Sequence, residues 1–216
     1  MCGCSQSSSN SPEININVKQ VVLASGNSGK LREMAQLLAP LEITLLPQSA
    51  FEIGDIEESA PTFVENALLK ARHAASLAAL PAIADDSGLI VDALDGAPGI
   101  YSARYAGSNA SNEQNLGKLL SALNGVAEDA RTARFHCVVV YVSRPMDPMP
   151  LIFEGTWEGR ILDQRVGHGG FGYDPVFYVP TEGCSAAQLT LEAKNALSHR
   201  GQALRKLIQG LPRVVD

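Results

Sequence analysis

The order of strand-like and helix-like segments constrains the fold of this chain more than any other feature of its sequence. Val18–Ala24 is a short apolar run with β-branched residues, and a glycine-containing turn separates it from an amphipathic helical pattern over Leu31–Leu38. The alternation continues to a last helix that is expected to begin near Ser198. Strands interleaved with helices indicate an α/β fold, and because hairpin and crossover signals both occur, the sheet is expected to be mixed.

The segments between these two ends extend the pattern. Apolar runs predict a second strand at Ile43–Leu46, two short strands around Asp85-Asp86-Ser87-Gly88, a strand at Arg134–Val142 and a hairpin or strand pair at Leu151–Ile161. Capping-box spacing predicts two more helices, one from Phe63 to about Leu80 behind Thr62 and Glu65, and one behind Ser111 and Gln114.

Charge and composition exclude several classes of protein. The 216 residues include 17 basic and 23 acidic side chains, and the formal net charge of −6 argues against a general binder of nucleic-acid polymers. No stretch approaches the roughly 20 apolar residues of a membrane-spanning helix, so no membrane partner is expected. Residues 1–17 are rich in Ser and Asn and carry no Lys or Arg, which predicts a disordered tail without a targeting signal and a cytoplasmic protein.

The turn Ser25-Gly26-Asn27-Ser28-Gly29-Lys30 is the first place that could carry chemistry. It lies between a strand and a helix, where backbone N–H groups and the helix dipole favour an anion, and Lys30 adds a positive charge. It is not a Walker A loop, because only two residues separate its glycines and Leu31 follows the lysine. The turn therefore fits either an ordinary strand–helix connection or a phosphate site.

Two adjacent carboxylates, Asp85 and Asp86, are expected at the end of a strand, because they follow a short apolar run. Such a pair is unfavourable unless solvent or a cation relieves the repulsion. Mg²⁺ commonly binds through one or two carboxylates together with substrate phosphates. The alternative is an exposed Asp-Asp turn.

A polar stripe marks the predicted helix that precedes these carboxylates. Asn66, Lys70 and His73 fall on one face of it, because they are spaced four and three residues apart. Spacing alone favours a face exposed to solvent.

A glycine-rich loop, Gly167–Pro175, is the third candidate. Its backbone can approach a ligand closely, and Phe171 and Tyr173 offer flat faces for stacking on a base, although a flexible hairpin loop is the alternative. Further along, His199 and Arg200 fall in the first turn of the last helix, where positive charge opposes the helix dipole. A bound anion or base edge would reverse that preference, and a tolerated surface pair is the alternative.

In this order, six segments closely resemble the inosine triphosphate pyrophosphatase family, also called the non-canonical purine nucleoside triphosphate pyrophosphatases, and its bacterial members most of all. The segments are Val21–Lys30, Phe63–Ala67 with Lys70-Ala71, Ala84–Gly88, Gly96–Tyr105, Gly170–Pro175 and Lys194–Arg200. The resemblance implies an elongated mixed sheet flanked by helices, with two lobes and a substrate cleft between them. It implies that residues 18–216 form a single catalytic domain, which assembles as a homodimer.

The same resemblance implies an activity and a cofactor. The expected reaction is Mg²⁺-dependent hydrolysis of inosine, deoxyinosine or xanthosine triphosphate (ITP, dITP or XTP) to the monophosphate and pyrophosphate. Asp86 matches the family's proton acceptor and metal ligand, and Glu58 matches a second metal ligand, with Asp85 left open as the alternative. The matches to substrate contacts are Ser25, Gly26, Asn27, Ser28, Gly29 and Lys30 in the phosphate turn, Lys70 as a further phosphate contact, Ser87, and the purine-binding residues Phe171, Gly172, Tyr173, Asp174, Lys194, His199 and Arg200.

Discrimination between purines is expected to depend on the 6-keto group. Donors from His199 or Arg200 would pair with that oxygen, whereas the amino group of adenine would leave them unpaired. Two other functions stay open on the sequence. A nucleotide-binding module would use the same turn, loop and cations without needing Asp86 and Mg²⁺, and a triphosphatase would release orthophosphate and leave a diphosphate.

Overall fold

One mixed β-sheet organises the described part of the chain. The structure is a computed structural model that describes residues 19–26, 30–31, 34–35 and 38–211. The predicted tail, residues 1–17, and the turn residues Asn27, Ser28 and Gly29 lie outside the described residues.

Within the described residues, seven strands form the sheet. They are β1 (Lys19–Leu23), β2 (Ile43–Pro47), β3 (Ala82–Val91), β4 (Thr132–Val142), β5 (Leu151–Ile161), β6 (Phe177–Val179) and β7 (Cys184–Ser185). Their order is β2-β1-β3-β4-β5-β6-β7. β1 pairs in parallel with β2 and β3, whereas β3 to β7 pair antiparallel, each with the next, so the predicted mixed sheet is confirmed.

Helices cover both faces of this sheet. Those with full bounds are α1 (Phe63–Ala78), α2 (Asn112–Ala122), α3 (Leu191–Leu197) and α4 (His199–Gly210). Lys30, Leu31, Met34, Ala35 and Leu38 also have helical backbone, which agrees with the predicted apolar stripe. No described helix is long and apolar enough to cross a membrane.

The two faces of the sheet carry different cores. The alanines of α1 pack with Ala82, Ala84 and Val138 on one face, and Leu204 and Leu207 of α4 pack with Ile83, Cys137 and Val139 on the other. Alternate residues of a strand point to opposite faces, so β3 supplies side chains to both cores. A third core is built around Phe135, Trp157 and Phe177 and is covered by α2.

The helix starts follow their caps. Ser111 and Gln114 form the complete predicted capping box of α2, and the Ser198 side chain accepts from the Gly201 N–H at the start of α4. At α1, the Thr62 side chain accepts from the Glu65 N–H as expected. This helix ends at Ala78 rather than Leu80, because Ala79 adopts a left-handed conformation with φ of 53°.

Two strand predictions are wrong. β3 is one continuous strand, and its ten residues all pair with β4, so Asp85 and Asp86 lie in the middle of a strand rather than at its end or in an exposed turn. β5 is likewise one strand instead of a hairpin or strand pair. Its glycines serve close packing, because a Cβ on Gly155 would lie 2.0 Å from the His199 carbonyl oxygen, and one on Gly159 would lie 2.5 Å from Phe177.

Candidate active site

Two cavities meet beside the centre of β3. The first, called the aromatic cavity, has a volume of about 340 Å³ and is lined by Phe135, Phe171 and Tyr173 together with cationic residues of α3 and α4. The second, called the turn cavity, has a volume of about 910 Å³ and is lined by Ser25 and Gly26 of the first turn. Both cavities share Lys30, Glu58 and Lys70, so together they form one cleft with an aromatic end and an end at the turn.

On one face of β3, Asp85 is held by two cations. Its oxygens Oδ1 and Oδ2 accept from Lys30 Nζ at 2.9 and 2.7 Å, and Oδ2 lies 3.4 Å from Arg200 Nε. Burial alone would raise the pKa of Asp85, but the charges of Lys30 and Arg200 hold it well below its usual range. Asp85 is therefore a permanently charged group in the interior, and these contacts do not favour it as the second metal ligand.

The opposite face of β3 carries a different arrangement. Lys70 of α1 donates to Glu58 Oε1 at 2.8 Å and to Asp86 Oδ1 at 2.9 Å, so its ammonium group bridges two carboxylates. The side chain of Lys70 is only 15% exposed, which contradicts the solvated face that spacing alone favours for the stripe on this helix. Asn66 is fully buried, and its amide bonds to both backbone polar groups of Ala60.

Arg104 completes the contacts around Glu58. Its Nη1 donates to Glu58 Oε2 at 3.1 Å and its Nη2 donates to the Glu58 carbonyl oxygen at 3.0 Å. Arg104 ends a 3₁₀ segment, Gly99–Arg104, that packs tightly against β3, since a Cβ on Gly88 would lie 2.3 Å from the Gly99 carbonyl oxygen. The absence of a side chain at Gly88 thus lets this segment bring Arg104 to the cleft.

The carboxyl groups of Asp86 and Glu58 have opposite pKa shifts. Burial, with the nearby charges of Glu58 and Asp85, raises the pKa of Asp86 to about 6 although Lys70 opposes the shift. Burial would also raise the pKa of Glu58, but the bonds and charges of Lys70 and Arg104 outweigh it and lower this pKa. Asp86 can therefore take up and release a proton near neutral pH, as a general base requires.

A divalent cation fits this pair of carboxylates. Asp86 Oδ2 is buried without a hydrogen-bond partner, so one oxygen of the pair has an unused acceptor site. Within the described ranges, no three acidic, His or Cys side chains cluster to form a metal cage. An ion here would use one or two carboxylates, with waters and substrate oxygens as its other ligands, and that is how Mg²⁺ usually binds.

The glycine-rich loop forms one wall of the aromatic cavity. The carboxylate of Asp174 accepts from the Phe171 N–H at 2.8 Å and from Lys194 Nζ, whose ammonium lies 4.6 Å from the centre of the Phe171 ring. Gly170 is required beside it, because its φ is 74° and a Cβ there would lie 2.2 Å from Asp174 Oδ2. Phe171 is 58% exposed, so it is accessible to a planar ligand.

Tyr173, the other aromatic residue of this loop, packs inward. It is buried in the third core, and its hydroxyl donates to the Ser102 carbonyl oxygen at 2.8 Å. Tyr173 is therefore much less accessible than Phe171, and this leaves Phe171 as the better stacking platform.

The first turn of α4 forms the opposite wall. His199 is buried and lies nearly parallel to Phe135, with ring centroids 4.9 Å apart and an angle of 11°. Burial and the neighbouring charges of Arg200 and Lys194 lower the pKa of His199 well below its usual value, so its imidazole is neutral at pH 7. Its Nδ1 has no hydrogen-bond partner within the described structure and can bond to a ligand.

All of the predicted site residues that the structure describes line this cleft. The turn cavity holds Ser25 and Gly26, both cavities hold Lys30, Lys70 and Glu58, and the aromatic cavity holds Asp86, Ser87, Phe171, Gly172, Tyr173, Asp174, Lys194, His199 and Arg200. Sequence reasoning missed Arg104 and Phe135. Arg104 lies inside a segment that carried the family resemblance, but Phe135 has no signal beyond that of a strand residue.

The fold and the cleft define an α/β protein with a site for a ligand that joins a planar ring to an anionic chain. The chain belongs to the Ham1 family, whose profile matches residues 21–210. This result confirms the resemblance to the inosine triphosphate pyrophosphatase family.

Individual relatives agree with this assignment over nearly their whole length. The dITP/XTP pyrophosphatases of Photorhabdus laumondii and of Salmonella typhimurium are each 56% identical over 194 residues, which cover 90% of this chain and 98% of each relative. A solved HAM1 protein from Coxiella burnetii superposes with a TM-score of 0.87 at 52% identity, over 91% of this chain and 100% of that one. The Ham1 protein of Staphylococcus aureus superposes with a TM-score of 0.82 at 42% identity, over 90% of this chain and 99% of that one.

Proposed function

We propose that this protein hydrolyses non-canonical purine nucleoside triphosphates, namely ITP, dITP and XTP, to the monophosphate and pyrophosphate, and so cleanses the nucleotide pool. The observation that carries the proposal is the junction of the two cavities, where the proton-accepting group Asp86 and the shared cations Lys30 and Lys70 lie between an aromatic end and a turn end. A nucleotide bound along this cleft has its base at one end and its terminal phosphates at the other. Its α–β anhydride bond then falls at the junction.

The anionic chain is held by the turn and the shared lysines. Ser25 and Gly26 line the turn cavity. Asn27, Ser28 and Gly29, which follow them in the sequence, are proposed as phosphate contacts from the family resemblance alone. Lys30 and Lys70 stabilise the negative charge that develops on the phosphate oxygens and the departing pyrophosphate, because preorganised cations need little reorganisation during the reaction.

The attack on the α-phosphate uses the carboxylates of the junction. Asp86 accepts the proton of the attacking water. Glu58 is held in place by Lys70 and Arg104, and Lys70 also contacts Asp86, so the two carboxylates lie next to each other. We propose Mg²⁺ as the cofactor, held by Asp86 and Glu58, and when bound it offsets phosphate charge and polarises the phosphoryl oxygens. Lys70 then either shares the two carboxylates with the ion or donates to a phosphate oxygen instead.

The aromatic cavity selects the base. Phe171 stacks on the purine, with Lys194 fixed behind it by Asp174. Arg200 and the neutral His199 donate hydrogen bonds to the 6-keto oxygen. An adenine amino group at the same place would leave buried donors unpaired, which costs about 1–3 kcal/mol for each such group.

Three further assignments complete the proposal. The protein acts in the cytoplasm, where its substrates form. It works as a homodimer, as the resemblance to the inosine triphosphate pyrophosphatase family implies. It takes single nucleotides rather than nucleic-acid polymers, because the net charge of −6 opposes a long polyanion while the cleft supplies local cations.

One assay tests the reaction. The purified protein is given ITP, XTP, dITP, ATP and GTP with Mg²⁺, and both products of each reaction are identified by chromatography. We expect monophosphate and pyrophosphate from the first three substrates and little turnover of ATP. GTP is the stringent comparison, because it shares the 6-keto oxygen and differs from ITP only at the 2-position.

Each alternative predicts a different result. Orthophosphate and a diphosphate product would identify a triphosphatase, and tight binding without any product would identify a nucleotide-binding module. Equal turnover of ATP and ITP would contradict the proposal that hydrogen bonds to the 6-keto oxygen select the base.

A further inference from the structure

Asp85 is a buried carboxylate that joins two parts of the cleft. Its side chain is 1% exposed, and it contacts Lys30 through both oxygens and Arg200 through Oδ2. These cations come from positions 55 and 115 residues away in the chain. One carboxylate thus contacts two site cations that come from distant parts of the chain.

The two cations face different parts of a ligand. Lys30 lines both cavities and belongs to the turn at the phosphate end. Arg200 lines only the aromatic cavity, where its guanidinium carbon lies 6.0 Å from the centre of the Phe171 ring and its Nη2 lies 3.3 Å from Ser87 Oγ. Asp85 is therefore the shared partner of a phosphate-side cation and a base-side cation.

We propose that Asp85 is a positioning residue that sets the placement of Lys30 for the polyphosphate and of Arg200 for the purine, so that one buried group controls both phosphate affinity and base discrimination. This inference rests on the proposed function of the cleft. It adds a role that differs from metal binding, because Asp85 and the proposed metal ligand Asp86 occupy opposite faces of β3.

The physical reason is that buried charges are unfavourable when no opposite charge compensates them. Neutralising Asp85 removes the negative charge that Lys30 and Arg200 both contact, and the two cations then move towards other available solvent or counter-charge. With Asp85 neutral, Lys30 and Arg200 would repel each other and move apart. Displacements of about 1 Å at a site can cost roughly 100-fold in rate.

Asp85→Asn distinguishes a positioning role from a simple charge effect, because the two predict opposite changes in the affinity for inorganic pyrophosphate. The substitution keeps the shape and removes a negative charge, so by electrostatics alone the cleft should bind a polyanion more tightly. If Asp85 positions the cations, inorganic pyrophosphate with Mg²⁺ should instead inhibit or bind more weakly, measured by inhibition constants and by calorimetry. The ratio of kcat/KM for ITP to that for ATP should fall by about tenfold or more, as expected when buried donors lose their geometry.

Three variants are matched controls. Lys30→Met should weaken pyrophosphate binding but keep most of the ITP-to-ATP preference. Arg200→Met should lower the ITP-to-ATP preference but keep most of the pyrophosphate binding. Asp92→Asn removes an exposed carboxylate that is also paired with an arginine, Arg134, and should change neither quantity. Only Asp85→Asn should change both.

The double variant Lys30→Met/Asp85→Asn covers the case in which Asp85→Asn fails to fold. Removing both members of a buried pair is far less destabilising than removing one. In that background the comparison is with Lys30→Met, and the double variant should show the lower ITP-to-ATP preference.

Tighter pyrophosphate binding, or an unchanged ITP-to-ATP ratio in a folded Asp85→Asn or double variant, would overturn the inference. Failure of the unmodified protein to cleave ITP is a separate result, and it would overturn the proposed function instead.

Discussion

Asp85 and Asp86 are adjacent in the sequence, yet their carboxyl groups lie on opposite faces of β3 and their pKa values shift in opposite directions. Lys30 and Arg200 keep Asp85 charged. Asp86 has one lysine partner, two neighbouring carboxylates and an oxygen without a hydrogen bond, and its pKa is raised to about 6. The strand thus places a fixed charge and a proton-accepting group one residue apart.

Asp86→Asn should abolish turnover and leave the fold intact. The amide fills the same space but neither accepts the water proton nor binds a cation as a carboxylate does, so we expect ITP hydrolysis to fall by at least about 100-fold to 10,000-fold. Pyrophosphate release measures the loss, and circular dichroism and thermal unfolding check the fold. Near-normal activity in a folded variant would remove Asp86 from the mechanism.

The raised pKa of Asp86 can be observed directly. In metal-free protein, the carboxyl carbon of Asp86 should titrate with a midpoint near pH 6 by NMR. Since a protonated carboxyl group is a poor ligand, the affinity for Mg²⁺ should fall as the pH drops below 6, whereas a carboxylate with the ordinary pKa of 3.8 would keep its affinity down to about pH 4.

Glu58→Gln is the matched variant for this titration. It removes a negative neighbour of Asp86 and frees Lys70 to pair with it, and both effects favour the charged form. The NMR midpoint should therefore move to lower pH. A midpoint that stays near 6 would mean that burial and the charge of Asp85, rather than Glu58, raise the pKa.

The general architecture could be predicted because its signals are local. Apolar runs marked the strands, and the caps at Thr62 and Ser111 marked two helix starts, since each cap depends on residues within one turn. The course of β3 could not be predicted in this way. An Asp-Asp-Ser-Gly segment is typical of a turn, and it forms the middle of a strand here because lysines and an arginine from distant segments neutralise its carboxylates.

The site residues likewise divide into those that the sequence indicated and those that depend on contacts between distant segments. The resemblance named Lys70 and His199, and the structure brings both to the cleft. Arg104 and Phe135 act through partners that are 46 and 64 positions away in the chain, Glu58 and His199, so no spacing rule within one element could reveal them.

Asn66→Ala should destabilise the protein and loosen Glu58. The buried amide bonds to the Ala60 N–H and carbonyl at 3.0 and 3.2 Å, and its loss leaves those groups unpaired, at a cost of about 1–3 kcal/mol. Because Ala60 lies two residues after Glu58, the Mg²⁺ concentration needed for half-maximal activity should also rise. Ser76→Ala, at an exposed position of the same helix, should change the free energy of unfolding by no more than about 0.5 kcal/mol.

Gly155→Ala should disturb the base pocket from a distance. The new Cβ would lie 2.0 Å from the His199 carbonyl oxygen and 2.9 Å from the Ala203 nitrogen, so the start of α4 must move. We expect a loss of about 1–3 kcal/mol in the free energy of unfolding and a lower ITP-to-ATP preference. Gly117→Ala in α2 is the control, because nothing lies within 4 Å of its Cβ, and it should gain roughly 0.5–1 kcal/mol.

The neutral state of His199 predicts a base preference that does not depend on pH. Burial, Arg200 and Lys194 lower its pKa well below the usual 6.5, so the imidazole keeps one protonation state between pH 6 and 8. The ratio of kcat/KM for ITP to that for ATP should therefore stay constant over this interval. At subsaturating Mg²⁺, both individual values should decline towards pH 6, because protonation of Asp86 competes with binding of the ion in the reaction of either substrate.

Phe135→Leu supplies the contrast for that measurement. Leucine keeps the site apolar but removes the ring that stacks on His199 at 4.9 Å, which lets water reach the imidazole. The pKa of His199 should then rise towards its ordinary value, and the ITP-to-ATP ratio should change between pH 6 and 8. A ratio that already varies with pH in the unmodified protein would show that His199 titrates there, and base selection would then depend on an imidazolium rather than a neutral ring.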